Sequence, residues 1–123
     1  MKRELIVQRS PKSPVAEVFR TLRTNIQFMN AVSDKKVMLV TSTIPGEGKS
    51  YVSANLAAAF AQLDKKVLII DTDMRKGRQY SLFNLQPRPG LSNFLSGVVD
   101  NDFIGEKDNI ENYIQETEVE NLY

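Results

Sequence analysis

Val37-Met38-Leu39-Val40-Thr41-Ser42-Thr43-Ile44-Pro45-Gly46-Glu47-Gly48-Lys49-Ser50 is the stretch that decides the fold. Its first four residues form a short, near-continuous apolar run, which predicts a strand buried on both faces. The middle is a polar turn whose two glycines let the backbone curl until successive N–H groups face a common centre. The end opens an Ala-rich stretch with Val52, Ala54, Leu56, Ala57, Ala58, Ala59, Phe60 and Ala61, predicting a buried helix from residue 50 to 63. Asp64-Lys65-Lys66 ends that helix, and Val67-Leu68-Ile69-Ile70 predicts a second buried strand closed by Asp71-Thr72-Asp73. Strand, loop, helix and strand within about 35 residues make a βαβ unit, and hence a parallel sheet with a right-handed crossover.

Upstream, Ser13-Pro14 places a hydroxyl at a helix N-cap and proline at the first helical position, so a helix is expected over residues 14–30. Val15, Phe19, Leu22, Ile26 and Met29 recur at intervals of four and three, a single apolar stripe at helical period. Asp34-Lys35-Lys36 breaks the pattern. Downstream, Pro87-Arg88-Pro89-Gly90 reads as loop and residues 91–99 as a short helix. Residues 100–120 are acidic and irregular, and Asn121-Leu122-Tyr123 resembles the first step of another strand.

The loop Pro45-Gly46-Glu47-Gly48-Lys49-Ser50, set between a strand and a helix, is a cradle for polyphosphate, to which the helix N-terminus adds its positive end. Lys49 is placed to reach the β and γ phosphates, and the Ser50 hydroxyl to ligate Mg²⁺. A glycine turn with an exposed lysine is the plainer alternative, and the flanking strand and helix count against it. The full pattern has glycine where this chain has Thr43. Asp71 and Asp73 lie at the end of the second strand, where ligands of open α/β sheets sit. In an extended segment Asp71, Asp73 and Arg75 point to one side, so two carboxylates can hold Mg²⁺ or take a proton from an attacking hydroxyl.

The whole chain of 123 residues is 41% hydrophobic and 25% charged, a composition that excludes disorder, collagen and disulfide scaffolds. It has no Cys and no His, which excludes Cys/His zinc sites, a cysteine nucleophile and a Ser-His-Asp triad. Chemistry is therefore left to carboxylates, lysines, hydroxyls and backbone dipoles. The net charge of +1 conceals an asymmetry, with nine basic and four acidic groups in residues 1–50 and one basic and seven acidic in residues 101–123. That balance argues against a general nucleic-acid binder. No apolar run approaches the ~18 residues of a membrane span, and Met1-Lys2-Arg3-Glu4 leads into no secretory segment, so a cytoplasmic location is expected.

The loop 45–50 together with Val67-Leu68-Ile69-Ile70-Asp71-Thr72-Asp73-Met74-Arg75 resembles the Walker A and Walker A′ motifs of bacterial protein-tyrosine kinases, the cytoplasmic kinases of capsular and exopolysaccharide production. Leu82-Phe83, Gly90-Leu91-Ser92, Leu95-Ser96-Gly97 and Glu118-Val119-Glu120-Asn121-Leu122-Tyr123 also look like that family. The resemblance implies a P-loop NTPase-like α/β fold, a parallel sheet with flanking helices. It implies ATP and Mg²⁺ as ligands, with Pro45, Gly46, Glu47, Gly48, Lys49, Ser50 and Tyr51 around the nucleotide. Lys49, Asp71 and Asp73 would be catalytic, and Ser50, Asp71 and Asp73 would surround the metal. Gly77 stands where the family commonly has proline, and Tyr80 where it commonly has histidine.

Glu17, Arg20 and Arg23 occupy i, i+3 and i+6 of the first long helix, on a strip away from the apolar stripe. Spacing alone makes this a solvated face. The resemblance makes it instead the contact of a homo-oligomeric ring in which one protomer offers tyrosines to the next. The resemblance further implies protein tyrosine substrates, a membrane adaptor of the polysaccharide co-polymerase type acting in trans, and recruitment to the inner face of the plasma membrane. A partition- or septum-type ATPase switch is the first alternative, against which Ile44 stands where that class carries an extra lysine. A catalytically inactive assembly partner is the second.

No apolar run ending in Asp follows residue 73, and Tyr51, Tyr80, Tyr113 and Tyr123 are scattered rather than clustered. The expectation is therefore that residues 1–123 form the N-terminal part of one P-loop kinase domain with a natural N-terminus, lacking a Walker B strand and a C-terminal tyrosine cluster. Taken alone, such a chain is expected to be marginally stable and inactive, with its buried helix partly uncovered.

Overall fold

Ser13 caps the longest helix as its sequence demands: the hydroxyl oxygen accepts the Ala16 N–H at 3.1 Å. The structure, a computed structural model, describes residues 4–30, 36–97 and 109–123. A one-turn helix, α1 (Ile6–Arg9), precedes α2 (Pro14–Asn30), and α3 (Lys49–Ala61) follows the glycine-rich turn. Two short helices, α4 (Gln79–Leu82) and α5 (Leu91–Ser96), and a 3₁₀ turn (Ile110–Tyr113) complete the helical elements. The expected short helix over residues 91–99 is thus present to Ser96, and Val98 and Val99 lie outside the described residues, as does the acidic stretch 100–108.

Helix α3 is the centre of the molecule. Ala54, Leu56, Ala57, Ala58, Ala59 and Ala61 are all buried, with α1 and α2 packed against it and Val119 and Leu122 joining the same core. Among the larger apolar side chains of residues 50–63, Tyr51, Val52, Phe60 and Leu63 are half-buried. Alanine explains the close packing. A side chain of one carbon lets neighbouring backbones approach closely and gives the best intrinsic helix propensity.

The expected apolar stripe of α2 is split. Phe19 is buried and Ile26 half-buried, but Val15, Leu22 and Met29 are exposed, Met29 by 75%. The packed line instead runs through Ala16, Phe19, Arg23 and Ile26, with Ala16 fully buried. Val15, Val18 and Leu22 form an apolar outer face of the helix.

Neither apolar run is the doubly buried strand that its composition predicts. Val37 and Leu39 are 88% and 86% exposed. In the second run Val67 and Ile69 are half-buried against the core while Leu68 and Ile70 face outward, the period of two of an extended chain. Burial of both faces needs a layer on each side, and among the described residues α3 supplies only one. The parallel pairing itself is present. Val67 donates to the Asn121 carbonyl at 2.8 Å, Tyr123 donates to Val67 at 2.9 Å, and Ile69 donates to Tyr123 at 2.8 Å. Residues 121–123 are thus the strand step that their sequence predicts.

Asn55, in the middle of α3, is fully buried. Its Oδ1 accepts the Val7 N–H at 3.1 Å, and its Nδ2 donates to the Glu4 carbonyl at 2.7 Å and the Tyr51 carbonyl at 3.0 Å. The amide thereby supplies both a donor and an acceptor to the backbone of the N-terminal segment. Replacing Asn55 by Ala strands the Val7 donor in the core and releases the Glu4 carbonyl. The expected loss is about 2–4 kcal/mol, read as a lower urea midpoint with an unchanged slope.

Candidate functional site

The turn between residues 41 and 48 is shaped by two glycines in the left-handed region, Gly46 at φ 83° and Gly48 at φ 86°. No atom lies within 4 Å of where their Cβ atoms would be, so the backbone conformation and not space requires glycine at these positions. Gly48 is also the N-cap of α3, so the N–H groups of Lys49 and Ser50 open the helix. Among the described residues the N–H groups of Gly46, Glu47 and Gly48 find no acceptor. The Lys49 Nζ reaches no further than the Ser42 hydroxyl, at 3.4 Å, and the Ser50 hydroxyl has no partner among the described residues. Free amides, a free ammonium group and a helix N-terminus in one loop fit the donor set that a polyphosphate takes.

Asp71 and Asp73 do not project side by side from a strand. The chain turns over residues 74–76, and the two carboxylates organise that turn. Asp71 Oδ1 accepts the Asp73 N–H at 3.1 Å, while its Oδ2 accepts the N–H groups of Arg78 and Gln79 at 3.0 and 3.1 Å, at the start of α4. Asp73 Oδ1 accepts the N–H groups of Arg75 and Lys76 at 3.2 and 2.9 Å, leaving Oδ2 without a partner among the described residues. The N–H groups of Lys76 and Arg75 hold the Asp73 carboxyl below the usual aspartate range, helped by the charges of Lys49 and Lys76. The phosphate loop and the acidic turn are neighbours, joined through Gln79, which bonds both Ser50 and Asp71. The free Ser50 hydroxyl and the free Asp73 oxygen are hard oxygen donors of the kind Mg²⁺ takes.

Gln79 ties the two motifs together. Its backbone N–H bonds Asp71 and its side-chain Nε2 donates to the Ser50 carbonyl at 3.2 Å, while its buried Oε1 has no partner among the described residues. Sequence reasoning missed Gln79, because a lone glutamine beyond an acidic turn carries no spacing signal. Tyr51, expected near the nucleotide, packs edge-on against Phe19 of α2 with ring centroids 5.8 Å apart.

The charged strip of α2 is also rearranged. Glu17 and Arg20 form a surface pair at 3.0 Å, worth about 0.3–0.5 kcal/mol. Arg23 turns inward instead, and its Nη1 donates to the Ala59 carbonyl in the last turn of α3 at 2.7 Å. A charge-assisted bond to a helix C-terminal carbonyl contributes about 1.5–3 kcal/mol, so Arg23 is a tie between helices. The expectation from spacing that all three residues lie on a solvated strip fails at Arg23, which lies on the side of α2 that packs on α3, with Phe19 against Tyr51.

With this geometry in place, the class of protein follows. Residues 38–84 match the CobQ/CobB/MinD/ParA nucleotide binding domain, and the fold is that of an α/β P-loop protein. Over 95 residues the chain is 46% identical to the tyrosine-protein kinase YwqD of Bacillus subtilis, covering 77% of this chain and 40% of that protein. It is 43% identical to CapB of Staphylococcus aureus over 118 residues, 96% of this chain and 48% of CapB. Two solved structures superpose closely. The chimerical protein CapA2B2 has TM-score 0.75 at 42% identity, over 99% of this chain and 50% of the other. The BceF tyrosine kinase domain has TM-score 0.78 at 35% identity, over 96% and 43%. The chain is a homologue of the bacterial tyrosine-protein kinases and spans half or less of the length of these relatives.

Gly77 stands where the resemblance led us to expect proline. A Cβ on it would lie 2.7 Å from the Asp73 carbonyl and 2.9 Å from Asp71 Oδ2. Gly77→Ala should therefore push the Asp71 carboxylate off the α4 N–H groups, costing about 1–3 kcal/mol. Amide shifts of Arg78 and Gln79 should move in the NMR spectrum while those of α2 stay in place.

Proposed function

We propose that the chain supplies the ATP-binding half of a protein-tyrosine kinase of capsular or exopolysaccharide production. The observation that carries this reading is the open loop of Gly46, Gly48, Lys49 and Ser50 beside the turn of Asp71 and Asp73. The kinase names of the homologues supply the acceptor class. In this reading Lys49 neutralises the β and γ phosphates, the N–H groups of residues 46–50 hold them, and Pro45 and Tyr51 flank the loop. Mg²⁺ would be held by Ser50 and Asp73, with Asp71 ordering the turn around it, and would offset phosphate charge when bound. A tyrosine hydroxyl attacks the γ-phosphorus, the bond to the β–γ bridging oxygen breaks, and ADP leaves. The phenolic proton leaves to water beside the acidic turn, because the one free oxygen of Asp73 is committed to the metal.

The finer architecture of this reading is a parallel sheet continued beyond the single bridge, with helices on both faces. Among the described residues no helix is long and apolar enough to cross a membrane. By likeness to the kinase homologues, the proposal places the kinase in the cytoplasm, brought to the inner face of the plasma membrane by an adaptor. Ring assembly falls to the outer face of α2, where Glu17 and Arg20 lie beside Val15, Val18 and Leu22.

Incubation of the full-length protein with γ-labelled ATP should place label on tyrosine, and Lys49→Met should lower that transfer by about a hundredfold or more. Label unchanged by the substitution would remove the loop from the mechanism, and released phosphate without phosphotyrosine would favour an ATPase switch. Arg20→Ala should shift the oligomer towards monomer in sedimentation; an unchanged assembly would sink the ring contact at this residue.

A further inference from the structure

A phosphate-binding loop is an unfavourable place for a carboxylate, since a negative side chain repels the ligand that the loop exists to hold. Glu47 nevertheless stands in the middle of this one, between the two left-handed glycines. Its carboxylate points back along the chain. Oε2 accepts the Thr43 N–H at 3.0 Å and the Ile44 N–H at 3.3 Å, and the Thr43 hydroxyl lies 3.1 Å from Oε2 and 3.3 Å from Oε1. Thr43 occupies the position at which the full loop pattern has glycine, and it does so without entering the left-handed region. The first turn of the loop is thus closed by a side chain rather than by backbone freedom.

From this we infer that Glu47 is a positioning residue of the nucleotide loop, its carboxylate holding the Thr43–Ile44 entry so that the N–H groups of residues 46–50 stay free for phosphate. The inference rests on the nucleotide reading above. Two further observations agree with it. The hydrogen bonds from Ile44 and the Thr43 hydroxyl, with those of the Thr43 N–H and the charge of Lys49, hold the Glu47 carboxyl below its usual range, so it is ionised when it does this. The N–H groups that Glu47 consumes lie before the glycines, and those of Gly46, Glu47 and Gly48 have no acceptor among the described residues. The carboxylate therefore spends its charge on donors that the ligand does not need. Lys49, the cation that contributes to its field, remains placed to offset what is left.

The test uses two readouts on the full-length protein, with Glu47→Ala and Glu47→Gln. Hydrogen exchange at the Thr43 and Ile44 amides in the absence of nucleotide reads the clasp alone. A fluorescent ATP analogue with Mg²⁺ reads the loop's competence. Glu47→Ala should speed exchange at both amides and weaken nucleotide binding, each about tenfold. Glu47→Gln, which keeps one carbonyl acceptor, should recover part of both, which a general loss of folding would not allow. Wild-type affinity in Glu47→Ala overturns the positioning role, as does unchanged exchange. A wild-type chain that binds no nucleotide, while its exchange still responds to Glu47, overturns the nucleotide reading and the role together, a pattern distinct from the first two.

Discussion

One buried amide constrains this structure more than any other group. Asn55 is the sole polar side chain among the fully buried ones of the described residues, and it faces the backbone of residues 4–7 from the middle of α3. A buried donor and acceptor left unpaired would cost more than most single contacts in the core contribute. The N-terminal segment is therefore held in one register against α3, and α1 follows from that register. Leu5 and Val7 are carried into the core as a result, and α2, entering through Ser13, is laid along the same helix. The alanines of α3 make the approach possible, and Asn55 makes it specific.

The helix so gripped is the one whose first residues form the phosphate loop. Phe19 touches Tyr51 one residue beyond Ser50, and Arg23 bonds Ala59 in the last turn of the same helix. On the other side, Gln79 joins the Ser50 carbonyl to the turn ordered by Asp71. The loop itself is exposed and its amides are free, but the frame behind it is tied at several points. A site that must release product needs an open mouth, and a site that must orient a triphosphate needs a fixed base. Both requirements are met by placing the ties on side chains outside the cradle.

Much of this was legible in the sequence where the signal is local. The Ser13-Pro14 start, the glycines at 46 and 48 and the strand step at 121–123 all follow from short-range chemistry. What was not legible depends on partners distant in sequence. The rotation of α2 that turns Arg23 inward and exposes Leu22 goes with Phe19 meeting Tyr51 and Arg23 bonding Ala59 of α3, contacts that no periodicity of α2 alone contains. The Asp71–Asp73 pair was read as extended because its apolar run is, yet both side chains find N–H groups two to eight residues ahead and close a turn. The doubly buried strands failed for a related reason. An apolar run records the layers that a sequence is suited to meet, and the described residues provide a cover on one side only.

The pairing of residue 67 with residue 122 has a kinetic side. Helices α2 and α3 form from local contacts, whereas the parallel bridge joins positions more than fifty residues apart and is secured by three backbone hydrogen bonds. Loop-closure entropy of that size must be met before such a pairing returns anything. The same cost falls on the Asn55 layer, whose amide reaches back 48 residues to Val7 and 51 to Glu4, so only the individual helices are local. The nucleotide loop lies inside the Asn55 closure in the sequence, with the bridge of residues 67 and 122 beyond it, and is framed only when both are made.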